Sequence, residues 1–230
     1  MTAALGVFSR LELCDPWTPR HPDNPVLIYG GATAVGSFAL KFAIKANVHP
    51  LIVVAGGGAK YVESLIDRSR GDTIVDYRKG ADSLVEEIQS ILGKYKVNKL
   101  AHAFDTVCAH GSFKNILRVL DPTQSKVACV LPLTEDQLPS SPVNAEILQT
   151  NVRCVHGQPG GLPGDSDFGF VYFRYFAKGL MEGWLSGHPY QVREGGLDGV
   201  EGALRDLKEG KASAVKYVFR IEDTPALKRT

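Results

Sequence analysis

Three glycines, Gly30, Gly31 and Gly36, stand within "YGGATAVGSF", Tyr29 to Phe38, directly after the apolar run "VLI". Residues that small let a backbone approach a bulky anion. A helix beginning near Val35 offers that anion unpaired N–H groups and a positive dipole end. Thr33 adds a hydroxyl donor, with Ala34 and Val35 at the helix start. The spacing departs from a strict G-x-G-x-x-G, so the turn reads either as a cradle for a dinucleotide pyrophosphate or as a glycine-rich corner between strand and helix.

A second stretch bears on the choice. About 20 residues past such a turn, NAD-dependent folds place a carboxylate on the ribose 2′-hydroxyl. Here "VVAGGGAKY" puts Gly56, Gly57 and Gly58 at that place, followed by Lys60 and Tyr61. The absence of a carboxylate leaves room for a 2′-phosphate, and Lys60 supplies countercharge, which is the chemistry of NADP selection. The other reading is a flexible glycine turn with an exposed lysine.

Proton transfer has two candidates. Cys108 and His110, after "DTV", fall near the expected carboxyl ends of the strands and are the catalytic residues this chain offers. The alternative is a partly buried thiol and an imidazole at a helix start. No metal is expected. His21, His49, His102, His110, His156 and His188 are scattered, and Cys14, Cys108, Cys129 and Cys154 lack paired-ligand spacing. Tyr95 and Lys99 have the spacing of a short-chain reductase pair but precede the fourth strand, and no nucleophile elbow is present.

The elements that would position these groups alternate. Apolar, β-branched runs at 26–30, 49–56, 72–77, 99–107 and 125–133 are followed by helical patterns from about Val35, Ala59, Ala81 and Gly111. A sixth strand is expected within "ILQTNVRCVHG", helices over 168–186 and 198–209, and a last strand over 213–221. Strands apolar on both faces and separated by helices imply an α/β fold, a doubly wound parallel sheet of Rossmann type. The expected division is 1–156 for the dinucleotide-binding domain and 157–230 for a glycine-rich loop, helices and terminal strand. Phe168, Phe170, Tyr172, Phe173, Tyr175 and Phe176 would form a core face or the wall of an apolar pocket.

Bulk properties narrow the class. A net charge of +1 in 230 residues gives no general affinity for nucleic acid. The N-terminus lacks the pattern of a signal peptide, and the aromatic stretch carries Arg174, Lys178 and Glu182, which excludes it as a membrane span. A cytoplasmic protein with reduced thiols is expected.

"VLIYGGATAVGSFALKFA", "DTIVDYR", "AFDTV" with "GSF", and the closing "GLDGVEGALRDLKEGKASAVKYVFRI" together resemble the medium-chain dehydrogenase/reductase superfamily. Within it, the chain resembles the fungal zinc-independent branch of quinone-oxidoreductase-like proteins and trans-acting enoyl reductases of polyketide biosynthesis. The resemblance implies that Gly31 through Gly36 hold the NADPH pyrophosphate, Lys60 and Tyr61 the 2′-phosphate, and Tyr77 the adenosine ribose. It implies that Thr106, Val107 and Leu131 flank the nicotinamide. The implied activity is NADPH-dependent reduction of a small molecule with an activated double bond, an α,β-unsaturated carbonyl. Such proteins begin with a GroES-like domain that this sequence does not contain. The alternatives are therefore a truncated non-redox relative (a cyclase, isomerase or accessory binding protein) or a fragment of a longer reductase. The sixth strand and the Tyr217–Phe219–Ile221 face lack partners in the sequence pattern. A homodimer is expected, or a complex with a protein covering the last strand.

Overall fold

The computed structural model describes residues 1–18, 24–138, 144–157 and 161–228. His21 and part of the glycine-rich loop, residues 158–160, lie outside the described residues. Two compact units are present, Met1–Ser186 and Gly187–Thr230.

The first unit opens with a helical segment, α1 (Thr2–Ala4) continuing as a π-helical stretch over Leu5–Arg10. Alternation follows: β1 (Val26–Tyr29), α2 (Ala34–Lys45), β2 (Leu51–Ala55), α3 (Ala59–Glu63), β3 (Thr73–Asp76), α4 (Ala81–Lys94), β4 (His102–Asp105), α5 (Ser112–Val119), β5 (Ser125–Cys129), β6 (Ala145–Gln149) and α6 (Asp165–Met181). All six strands pair in parallel in the order β3-β2-β1-β4-β5-β6. This is the doubly wound order, with its switch point between the carboxyl ends of β1 and β4, where such sheets take their ligands.

Period-two alternation sorts the strand residues between two cores. Val26, Ile28, Val53 and Phe104 face one layer with Ala39, Phe42 and Ala43 of α2. Leu27, Tyr29, Ile52 and Val54 face the other with Leu84 and Ile88 of α4 and Phe113 and Ile116 of α5. Every residue of β1 and β2 is buried, which is why they read as continuous apolar runs.

The aromatic stretch belongs to the first core. Phe42 stacks on Phe176 at 5.0 Å, and Tyr172 on Phe168 at 4.0 Å and on Phe8 at 5.2 Å. That packing carries the first unit on to Ser186, beyond the division expected at 156. A buried ion pair fixes the same helix: Arg10 donates to both carboxylate oxygens of Asp165, at 2.8 and 2.6 Å, and its Nε to the Gln149 carbonyl. Burial alone would raise the Asp165 carboxyl. The hydrogen bonds and charge of Arg10, with the Leu162 N–H, hold it below its ordinary value.

Several expected elements are shorter. The sixth strand ends at Gln149, because the Asn151 side chain accepts the Arg153 N–H and starts a 3-10 turn over Val152–His156. The helix after β2 runs five residues, and the loop behind it is held by Asp72, whose carboxylate accepts from Leu51 and Asp67 N–H.

In the second unit, β7 (Tyr190–Arg193) pairs in parallel with β8 (Lys216–Phe219), and α7 (Val200–Lys208) lies between them in sequence. The last strand is thus not the unpaired edge expected. β7 occupies one side, and Leu204 and Leu207 of α7 border an apolar cleft with Tyr217 and Phe219. The Arg193 guanidinium lies 4.6 Å from the Tyr217 ring centre and bonds Asp206 at 2.6 Å. Ile221 stays exposed.

Candidate functional site

The glycine turn sits at the switch point. Gly30, at φ +87°, and Gly31 both donate to the Val54 carbonyl, at 2.9 and 3.0 Å, so β2 holds the turn. Thr33 caps α2: its Oγ1 accepts the Gly36 N–H at 2.9 Å. It also lies 3.0 Å from Thr106 Oγ1, which in turn donates toward the Tyr29 and Gly30 carbonyls at 2.8 and 3.1 Å. Helix geometry leaves the N–H groups of Ala34 and Val35 for solvent or a ligand.

Each glycine meets a different neighbour. A Cβ on Gly36 would strike the Gly30 carbonyl, and one on Gly30 would meet Val107 and Thr106. A Cβ on Gly31 would run into Val53 and Leu40. Gly31 is therefore needed for packing on the sheet, and Gly30 and Gly36 keep the cradle open. This arrangement fits a pyrophosphate.

At the carboxyl ends of β2 and β3 the Tyr77 ring lies against Gly56, so close that a Cβ there would fall 2.5 Å from its Cε1. Tyr77 is half exposed, and Lys60 and Gly57 face solvent. Tyr61 is half-buried with its hydroxyl shielded from solvent, whereas Tyr77 presents its ring at the surface. One cation escaped the sequence reading. Arg78 forks onto Asp76, with Nη2 to Oδ2 at 2.7 Å and Nε to Oδ1 at 2.9 Å. Hydrogen bonds from the Arg78 side chain and backbone N–H hold the Asp76 carboxyl down at about 2. The signal was legible as "DYR", an acid and an arginine two apart at a strand end.

The loop after β4 is organised by Asp105, which is fully buried. Its Oδ1 accepts from Val107 and Cys108 N–H at 2.9 and 2.8 Å, and Ser112 Oγ donates to Oδ2 at 2.6 Å. Burial raises its carboxyl against those bonds. Cys108 is turned inward, 5% exposed, and its sulfur donates to the Asp105 carbonyl at 3.3 Å. In this orientation the Cys108 sulfur faces the core. His110 is exposed, with φ +53°. Val107 borders Gly30, and Leu131, past the end of β5, is exposed. The geometry thus brings together Gly30, Thr33, Thr106 and Val107 at one end and Gly56 and Tyr77 at the other. Among the described residues no group of three or more His, Cys, Asp or Glu could hold a metal, and no helix is long and apolar enough to cross a membrane.

No protein-family model matches the chain. A trans-enoyl reductase of Gibberella fujikuroi is 36% identical over 84% of this chain and 55% of its own length. The chain therefore spans a little over half of that relative. Two solved structures share the fold over 95% of the chain. One is the JamJ enoyl reductase in its apo form, with TM-score 0.67, 13% identity and 60% of that protein covered. The other is CurA of Vibrio vulnificus in complex with NADPH, with TM-score 0.64, 18% identity and 61% covered.

Proposed function

The chain belongs to the medium-chain dehydrogenase/reductase superfamily, and from that premise we propose that it binds NADPH and serves the reduction of an α,β-unsaturated carbonyl, as an enoyl or quinone reductase. The observation that carries the reading is the glycine turn locked at the switch point, with Thr33 and Thr106 hydrogen-bonded across it. The trans-enoyl reductase relative and the NADPH complex of a protein with the same fold support the substrate class and the cofactor.

On this reading Gly30, Gly36 and the first amides of α2 take the pyrophosphate, with the Thr33 hydroxyl beside them. Lys60 and Arg78 give the 2′-phosphate its countercharge, and Tyr77 borders the adenosine. No carboxylate stands at Gly56–Gly58 to repel that phosphate. Bound NADPH supplies hydride equivalents. Thr106, Val107 and Leu131 border the nicotinamide end and shield it from water. Asp105 holds the loop that presents His110, and the exposed imidazole, or a water beside it, supplies the proton to the α-carbon of the enone.

The test is NADPH consumption with simple enones and ortho-quinones, run beside a direct NADPH titration. Turnover with any of them supports the reductase. Tight binding without turnover rejects reduction and leaves a dinucleotide-binding protein, whereas no binding rejects the whole reading.

A further inference from the structure

Two of the buried thiols lie together at the carboxyl end of the sheet. Cys129 ends β5, and its register partner on β4 is Asp105. Cys108, three residues past Asp105, folds back so that its sulfur donates to the Asp105 carbonyl at 3.3 Å, the same oxygen that takes the Val130 N–H at 3.3 Å. The shared acceptor seats the Cys108 sulfur over the β4–β5 seam, in the same core cluster as Cys129. The other cysteines stand apart: the Cys14 sulfur donates to the Ala46 carbonyl, and Cys154 packs in a separate cluster with Leu5 and Val155.

We propose that Cys108 and Cys129 form a dithiol site that a peroxide closes to an intramolecular disulfide, locking the loop after β4 onto the end of β5. The cross-link does not rest on the dinucleotide reading, although the loop it ties is the one that carries Val107 and His110.

The order of events follows from the surroundings. The neighbouring Cys108 and burial push the Cys129 thiol up, whereas Cys129 draws Cys108 down, so Cys108 ionises first. Its thiolate attacks one peroxide oxygen, the O–O bond breaks, and hydroxide leaves a sulfenic acid on Cys108. The Cys129 sulfur then attacks that sulfur. The S–S bond forms, the S–O bond breaks, and the departing hydroxide takes the Cys129 proton as water. Two thiols are oxidised and one peroxide is reduced to two waters.

Entry to a buried thiol requires the loop to open. Cys108 and His110 both hold left-handed φ, at +51° and +53°, a conformation unfavourable for residues with a side chain. Beyond the Asp105 bonds, Gln137 Nε2 anchors the Cys108 carbonyl at 3.1 Å. Reclosing returns Cys108 to the seam beside Cys129.

The experiment treats the full chain with hydrogen peroxide, blocks remaining thiols with a maleimide in denaturant, and reads intact mass and a non-reduced digest. Expected are two maleimide adducts instead of four, a loss of about 2 Da, and a linked peptide pair containing Cys108 and Cys129. Dithiothreitol should remove that pair, and Cys129→Ala should prevent it. Amides from Val107 to Ser112 should exchange more slowly in the oxidised protein. The proposal is overturned if wild-type protein yields no linked pair while Cys108 accumulates oxygen, if the adduct loss persists in Cys129→Ala, or if linkage leaves those amides exchanging as before. The wild-type digest decides the matter even where a variant fails to fold.

Discussion

Thr33 Oγ1 and Thr106 Oγ1 lie 3.0 Å apart, joining the cap of α2 to the end of β4 across the mouth of the sheet. Thr106 also donates toward the Tyr29 and Gly30 carbonyls. Thr106→Val keeps the shape and removes these bonds. The carbonyls retain other donors, Thr106 N–H and Thr33 N–H, so the expected loss is about 1–2 kcal/mol. A urea denaturation curve with an unchanged midpoint would show the link to be idle.

Gly31 and Gly36 should fail for different reasons. In Gly31→Val the side chain enters the space of Val53 and Leu40. That overpacking should cost about 1–3 kcal/mol even without cofactor. Gly36→Ala meets the Gly30 carbonyl, which cannot retreat without losing the bond from Thr33 N–H, so its loss should be larger. Differential scanning calorimetry of both apo variants separates this from a simple block of cofactor approach, which would leave apo stability intact.

Cofactor choice should rest on two cations. Lys60→Ala and Arg78→Ala are each expected to weaken NADPH by about 1–2 kcal/mol, the scale of a charge-assisted contact, and to leave NADH nearly unchanged. Paired fluorescence titrations with the two cofactors check this. Equal losses for both would place neither residue at the 2′-phosphate.

The Arg10–Asp165 pair sets an acid dependence. A carboxyl held below its ordinary value in the folded state stabilises the fold above that value and withdraws its support as pH falls through the folded pKa. Stability should therefore drop below about pH 4, and less steeply in Asp165→Asn. Asp105, raised by burial, works in the opposite direction at higher pH, adding stability as the pH falls toward about 4. Arg10→Met should cost about 3–5 kcal/mol, since it strands a buried carboxylate. Arg10→Met with Asp165→Leu should recover much of that in urea titrations at neutral pH.

Self-association is expected at β6, which among the described residues pairs with β5 alone. An edge of this kind invites a second copy. Light scattering at micromolar concentration should report a homodimer, with amides of 145–149 protected. A monomer that exchanges those amides rapidly would refute it.

Much of this architecture was legible because burial on both faces forces apolar runs: "VLIY" and "LIVVA" could hardly be anything but central strands. The glycine turn was legible for the same kind of local reason, whereas Thr33 reads as a donor to phosphate and not as the cap of α2. Tertiary placement was not. Whether Cys108 faced substrate or core depended on Asp105 folding the loop back, and Asp105 is one residue of a motif read only as a border. Tyr77 is assigned to the ribose by resemblance, and its packing against Gly56 has no local signal in the sequence. The sixth strand stopped early because a single side chain, Asn151, took a backbone N–H.

The parallel strand order also sets a timetable for folding. Thr106 and the carbonyl it bonds, that of Tyr29, are 77 positions apart in the chain. The glycine turn can pair with β2 early, through Val54, yet its other wall waits until β4 has been synthesised and docked. Contacts of that sequence separation slow folding. A nascent chain paused before β4 would carry the turn and its helix with β1 still open along one edge.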